Sequence, residues 1–226
     1  MENTDAKEKP DLVRQMSSVV SHEIRNPLAI ISNSLYFIKT KLCAGGAALD
    51  PKLAKHIGII EGEVKRSNDI IEEMLAFTRK RDLQAAPLSV NAVVSEAVGA
   101  WPAPAGVTVK VAEDAAGPRV NADRDALGYA IRCVLDNAVQ AMPAGGAVTV
   151  TCSSDGKLAR VDFADGGPGL PEGGARVFEP FFTTKPRGLG LGLTIARKYL
   201  ELHGGSAAAA NLPGGGAKVT LSLPVL

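Results

Sequence analysis

The chain has 226 residues, 46% hydrophobic and 22% charged, with a formal net charge of +1. That is an ordinary soluble balance, enough for one large domain or two small ones, and it gives no electrostatic reason to expect a nucleic acid as partner. No apolar run approaches the ~18 residues needed to span a bilayer, and the polar, charged stretch 1–10 is not a signal peptide.

Cys43, Cys133 and Cys152 are odd in number, widely spaced and without metal or redox spacing. Free thiols in a reducing cytosol fit them, so a cytoplasmic location is expected. Any sensing module is then expected upstream of this chain or on another one. Residues 10 to 82 carry Pro only at 10, 27 and 51, and one Gly-rich break at Ala44-Gly45-Gly46-Ala47. From Gln84 onward Gly, Pro and Ala rise, which places a boundary near residues 82 to 88 and gives domains 1–83 and 84–226.

In the first domain Val13, Met16, Val20, Ile24, Leu28, Ile31, Leu35, Ile38 and Leu42 recur in steps of three or four, the pattern of an amphipathic helix. Asp50-Pro51 reads as N-cap and first-turn proline of a second helix, with Leu53, Ile57, Ile60, Val64, Ile71, Met74 and Leu75 as its stripe. The basic run Arg79-Lys80-Arg81 suits the dipole at that helix's end. A two-helix hairpin cannot enclose its own apolar stripe, whereas two hairpins can, as an antiparallel four-helix bundle. A homodimer is therefore expected, each buried Leu or Ile contributing roughly 1.5–3 kcal/mol.

The second domain alternates short Val-rich runs with helical patterns. Strands are predicted at Pro87–Val90, Val107–Val111, Arg119–Asn121, Ala147–Cys152, Ala159–Ala164, Ser206–Asn211 and Ala217–Leu223. Helices are predicted at Ala92–Trp101, Asp123–Met142 and Gly192–His203, the last stopped by Gly204. The pattern predicts one mostly antiparallel sheet with helices on one face.

Inside the first helix stands Ser21-His22-Glu23-Ile24-Arg25-Asn26-Pro27-Leu28. His22 is two residues from both Val20 and Ile24, about 200° around the helix, so it faces away from the core with Arg25 and Asn26 on its own face. Pro27 cannot donate to the carbonyl of Glu23, which predicts a local loosening. A neutral imidazole nitrogen can attack phosphorus in line while Glu23 takes the proton of the other ring nitrogen. For a His-Glu pair alone a solvated helix surface is the commoner explanation; the full octet is far rarer. His56 and His203 lack such a neighbourhood and read as ordinary surface or helix-end residues.

Four more segments suit a nucleotide. On the helix 123–142, Cys133, Asn137 and Gln140 flank the core stripe Leu127, Ile131, Leu135, Ala138 and Met142, and an amide oxygen at Asn137 suits a hard cation such as Mg²⁺. Asp165-Gly166-Gly167-Pro168-Gly169 follows a strand; its glycines let backbone approach a ligand and its Asp can accept from an exocyclic amine, although in isolation a plain turn is the commoner explanation. Phe178-Glu179-Pro180-Phe181-Phe182-Thr183-Thr184-Lys185 gathers three of the six Phe residues, and a hydrophobic plug with a polar rim is its bland explanation. Gly188-Leu189-Gly190-Leu191-Gly192-Leu193 opens a helix, an anion site for phosphates. It is neither a Rossmann fingerprint, since no strand precedes it, nor a P-loop, since no Lys-Ser/Thr follows.

Together these residues resemble the sensor histidine kinases. His22-Glu23-x-x-Asn26-Pro27 is similar to their H box and Asn137-Ala138 to their N box. Asp165-x-Gly167-x-Gly169 is similar to the first glycine box, Phe178–Phe182 to the F box, and Gly188-x-Gly190-x-Gly192 to the second glycine box. Order and rough spacing agree over nearly the whole chain. The resemblance implies an α+β protein: a dimerisation and histidine-phosphotransfer hairpin, then an α/β sandwich ATP-binding domain of the Hsp90, gyrase and MutL (Bergerat) type. It implies His22 as phosphoacceptor, Glu23 as general base and Asn26 as helper in transfer or dephosphorylation. It implies ATP and Mg²⁺ as cofactors, with Asn137 on the metal, Asp165 on the adenine amino group, and Gly167, Gly169, Phe178, Lys185, Gly188, Leu189, Gly190, Leu191 and Gly192 around the nucleotide. The implied partner is the receiver domain of a response regulator, whose Asp takes the phosphoryl group. The Phe-Phe-Thr-Thr-Lys-Pro run with a very short lid looks like the nitrogen-regulator branch, and Lys185 and Arg187 are near enough in sequence to meet phosphate.

Two positions depart from the pattern. Cys133 stands where many members carry a second Asn, and a thiol is a poor ligand for Mg²⁺. Gln140 stands where many place a basic residue, which removes a phosphate contact. The rival functions are a clamp-type ATPase without histidine chemistry and a nucleotide-impaired dimeric scaffold, the latter motivated by Cys133.

Overall fold

A computed structural model describes residues 24–42, 50–79, 82–171, 174–185 and 188–226. The chain divides into two compact units, Met1–Lys80 and Arg81–Leu226. Among the described residues no helix is long and apolar enough to cross a membrane.

The first unit contains helix α1 (residues 24–42) and helix α2 (Pro51–Thr78). Asp50 caps α2 as its sequence predicts: its carboxylate accepts from the backbone N–H of Lys52 and Leu53 at 2.9 and 3.2 Å, and Pro51 occupies the first turn. Ion pairs Arg25–Glu72 (3.4 Å) and Lys39–Glu61 (3.1 Å) join the helices with numbers that converge, so the pair is antiparallel. Both pairs are exposed and contribute little to stability. Leu35 of α1 and Ile57, Val64 and Ile71 of α2 are buried, but Ile24, Ile31, Ile38, Leu42, Leu53, Ile60 and Met74 of the same stripes stay exposed. The helix runs through Pro27 without interruption among its described residues.

The second unit is a two-layer sandwich. Its strands are β1 (Ala86–Ser89), β2 (Val107–Ala112), β3 (Arg119–Ala122), β4 (Gly146–Ser154), β5 (Leu158–Asp165), β6 (Ser206–Asn211) and β7 (Ala217–Pro224). Its helices are α3 (Val90–Ala100), α4 (Arg124–Gln140) and α5 (Gly192–Leu202), with a 3₁₀ turn at Gly174–Phe178. The main sheet has the order β2-β4-β5-β7-β6. Three of its pairs are antiparallel and β2–β4 is parallel, the crossover being supplied by β3 and α4. The sheet's inner face (Val148, Val150, Val161, Phe163, Val219, Leu221) packs under α4 and α5.

One expectation is corrected. There are two sheets: β1 and β3 form a separate two-stranded one, Leu88 opposite Val120, linked to the segment after β7 by a single bridge from Val120 to Val225. Both strands are four residues long and run straight into helix caps, Ser89 on α3 and Asp123 on α4, which leaves them no length to enter the main sheet. For the same reason Val90, read as a strand end, is the first residue of α3, and Asp123, read as helical, is a cap. Helix α5 ends as foreseen at Gly204, which has φ +70° while Gly205 N–H donates to Leu200 O at 2.8 Å, a Schellman closure.

Candidate functional site

The site is built on α4. Asp123 Oδ1 accepts from Ala126 N–H at 2.9 Å and starts the helix; Oδ2 accepts from Gln84 N–H at 2.9 Å. The backbone N–H of Asp123 donates to His203 Nε2 at 2.9 Å, and His203 Nδ1 lies 2.6 Å from Tyr199 O. An acceptor at Nε2 and a carbonyl at Nδ1 define the Nδ1–H tautomer. His203 was expected to be an ordinary helix-end residue; instead it ties α5 to the start of α4.

Along α4, Leu127, Ile131, Leu135, Ala138 and Met142 are buried as predicted. The flanking stripe is less buried: Cys133 and Asn137 are half-buried and Gln140 is exposed. Lys185 lies against this stripe. Its Nζ donates to Asn137 Oδ1 at 2.8 Å, Gln140 Oε1 at 3.1 Å and Asn137 O at 3.3 Å. Burial pulls the Lys185 pKa below its usual value, and the carboxylates of Asp165 and Asp136 partly oppose that pull.

Asp165 ends β5 and is 7% exposed. Its Oδ1 accepts from Gly167 N–H at 2.9 Å and Ala217 N–H at 3.3 Å, so these bonds fix the carboxylate and leave Oδ2 for another donor. A side chain at Gly167 would meet Asp165 Oδ1 at 2.9 Å and Ala141 Cβ at 3.1 Å, so only glycine lets the chain turn this closely. Gly169 (φ +87°) sits beside Asn211, whose Oδ1 accepts from Leu170 N–H at 2.6 Å. Sequence reasoning missed Gly216: a Cβ there would lie 2.0 Å from Asp165 O. The triplet Gly214-Gly215-Gly216 before the last strand was the available signal.

The glycine run 188–192 folds back on the Phe-rich turn. Phe181 N–H donates to Gly190 O at 3.1 Å, and Gly190 has φ +72°. Leu189 is half-buried and Leu191 fully buried, so the latter can offer a ligand only its backbone. Gly192 opens α5, where an added Cβ would lie 3.9 Å from Cys133 Cβ, and no side chain caps that helix start. First-turn N–H groups without side-chain partners suit an anion. Phe178 is 4% exposed; its carbonyl accepts from Thr194 Oγ1 at 3.0 Å and Arg197 covers its ring. Its ring therefore fills the core beneath the site rather than the rim.

The structure thus gathers Asn137, Gln140, Lys185 and Asp165 in one unit, with the glycine run beside Cys133. Asn26 is exposed on α1. His22, Glu23 and Arg187 lie outside the described residues. The donor set fits Mg²⁺ and a nucleotide: neutral carbonyl oxygens at Asn137 already attract a positive charge, that of Lys185. Among the described residues no group of three or more His, Cys, Asp or Glu could hold a metal.

Residues 122–226 match the family model for histidine kinase-, DNA gyrase B- and HSP90-like ATPases, and residues 12–83 the His Kinase A (phospho-acceptor) domain. The chain belongs to the sensor histidine kinases of two-component systems. The signal transduction histidine-protein kinase AtoS of Escherichia coli K12 is 32% identical over 218 residues, which cover 93% of this chain and 34% of the relative. The sensor histidine kinase ZraS of Klebsiella oxytoca is 32% identical over 229 residues, 99% of this chain and 48% of the relative. The chain therefore spans only a third to a half of these relatives' length. Among solved structures, histidine kinase ThkA in complex with response regulator protein TrrA is similar with a TM-score of 0.69 and 28% identity, covering 97% of this chain and 64% of that one. Full-length ShkA in complex with AMPPNP is alike in fold, with a TM-score of 0.72 and 24% identity over 93% of this chain and 46% of that one.

Proposed function

We propose that this chain is a kinase core that uses ATP to phosphorylate its own His22 and hands the phosphoryl group to an Asp of a response regulator. The observation that carries this reading is Asp165: a buried carboxylate with one oxygen fixed by two backbone N–H groups and the other left to read an adenine amino group. Around it, Gly167 and Gly169 keep the backbone close to the base. Gly188, Gly190 and Gly192, with the start of α5, offer N–H groups to phosphates. Asn137 Oδ1 would hold Mg²⁺, and Lys185 lies within reach of the same phosphates. ATP with Mg²⁺ supplies a γ-phosphoryl group whose charge the metal neutralises.

His22 attacks the γ-phosphorus with a neutral ring nitrogen. A P–N bond forms, the bond to the bridging oxygen breaks, and ADP leaves with that electron pair. The proton of the other ring nitrogen passes to Glu23. Asn26, one helical turn along, orients water or the acceptor in the transfer and dephosphorylation steps. The exposed apolar stripes of α1 and α2 support a homodimer closed as a four-helix bundle. The domain roles follow the boundaries 1–83 and 84–226. We place the protein with the nitrogen-regulator-like branch and in the cytoplasm, reading a signal through a module on a longer chain or a partner.

Labelling with γ-phosphate-labelled ATP tests this. Acid-labile label on the wild type and none on His22→Ala supports it; equal label on both, as for a clamp ATPase that merely binds nucleotide, overturns it. Cys133, half-buried beside Gly192, keeps the nucleotide-impaired scaffold as the second reading. Wild type that binds no nucleotide decides for the scaffold.

A further inference from the structure

One of the two departures from the family pattern, Gln140, meets Lys185 in space. An ammonium has three N–H donors, and those of Lys185 face three acceptors: Asn137 Oδ1, Asn137 O and Gln140 Oε1. All three are neutral carbonyl oxygens. None of the three carries a negative charge, so they seat the ammonium without neutralising it, and the carboxylates of Asp165 and Asp136 offset only part of its pull on an anion. A basic residue at 140 would repel Lys185; glutamine seats it. On the same stripe Cys133 offers a metal no hard ligand.

We propose that Lys185, seated by Gln140 and Asn137, is a tethered cation for the nucleotide's phosphates, carrying charge neutralisation that the site otherwise draws from a divalent metal. This rests on the nucleotide-binding reading above and adds a specific property to it: phosphate affinity that survives removal of the metal. Gln140 is in this arrangement a positioning residue. Its amide oxygen holds the ammonium over the stripe, so the position that lost a phosphate contact of its own regains one from a residue 45 positions later. Asn137 Oδ1 is an acceptor that would suit either cation.

The test is a calorimetric titration of the whole chain with AMPPNP, in excess Mg²⁺ and in excess EDTA. For the wild type the two affinities should agree within about tenfold, since a charge-assisted bond is worth about one to two powers of ten. Lys185→Met should lose about ten- to a hundredfold in EDTA and much less in Mg²⁺. Gln140→Leu, on the exposed flank of α4, should widen the gap in the same direction, and Lys185→Arg should restore it. Wild-type binding that vanishes in EDTA but persists in Mg²⁺ overturns the tethered cation and leaves the kinase reading standing. An equal loss in both conditions for Lys185→Met also overturns it, since that is an ordinary additive contact. No binding by wild type in either condition overturns both.

Discussion

Asp165→Asn separates the two jobs of one carboxylate. Oδ1 holds the turn through Gly167 and Ala217, and Oδ2 takes part in neither bond. Asparagine keeps an acceptor for both backbone donors, so stability should change by less than about 1 kcal/mol. Its NH₂ group replaces Oδ2 and meets the adenine amino group donor against donor. Losing a charge-assisted bond costs about 1.5–3 kcal/mol, a fall of about ten- to a hundredfold in ATP affinity. GTP, which presents a carbonyl acceptor at that position, should lose less, so the preference for ATP narrows. Asp165→Ala is the contrast: a buried N–H and a part-buried one lose their acceptor, at up to about 1–3 kcal/mol each, out of a total stability of about 5–15 kcal/mol. Nucleotide titration with a thermal melt on both variants decides. Unchanged ATP affinity in a folded Asn variant refutes the base-reading role. An Asn variant that melts as early as the Ala variant refutes the division of labour between the two oxygens.

Three further outcomes are expected. Gly190→Ala puts a Cβ 2.6 Å from Phe182 O at φ +72° and should cost about 2–5 kcal/mol in strain and overpacking. Gly214→Ala, with nothing within 4 Å, should stay within about 0.5 kcal/mol, as chemical denaturation can check. Cys152 is held protonated by burial first, then by Glu113 and Asp114, which push its thiol from 9.0 up to about 11. The unfolded chain releases that proton near 9.0 and the folded chain keeps it to about 11, so the thiol's contribution to stability is complete below pH 9 and is lost as pH rises through 11. Denaturation midpoints across this window should fall more steeply for wild type than for Cys152→Ala, and equal slopes would exclude the effect.

Much of this was legible because it is periodic. The buried stripe of α4 fixes which flank carries Asn137, and the alternation in β4, β5 and β7 fixes the sheet's inner face. Asp50-Pro51 and Gly204 marked helix ends through local chemistry alone. What escaped depends on paths rather than periods. The meeting of Lys185 with Gln140 is set by how the Phe-rich turn folds over α4. The separate β1–β3 pair follows from helix caps that cut both strands short. Phe178 was grouped with the nucleotide by the family resemblance, and its place in the Phe-rich run gives no sign that its ring is buried. His203 looked ordinary because its partners, Asp123 and Tyr199, are a distant backbone N–H and a carbonyl one turn away.

The junction at Asp123 has a consequence for how the second unit comes apart. Its carboxylate grips residue 84 with one oxygen and the head of α4 with the other, while its own amide is held by the tail of α5. Fraying at the chain's entry into the unit therefore cannot proceed one residue at a time. To release Gln84 past this point is to loosen the helix that carries Asn137 and the helix that begins at Gly192. The entry strand and both site helices share one cooperative threshold of opening.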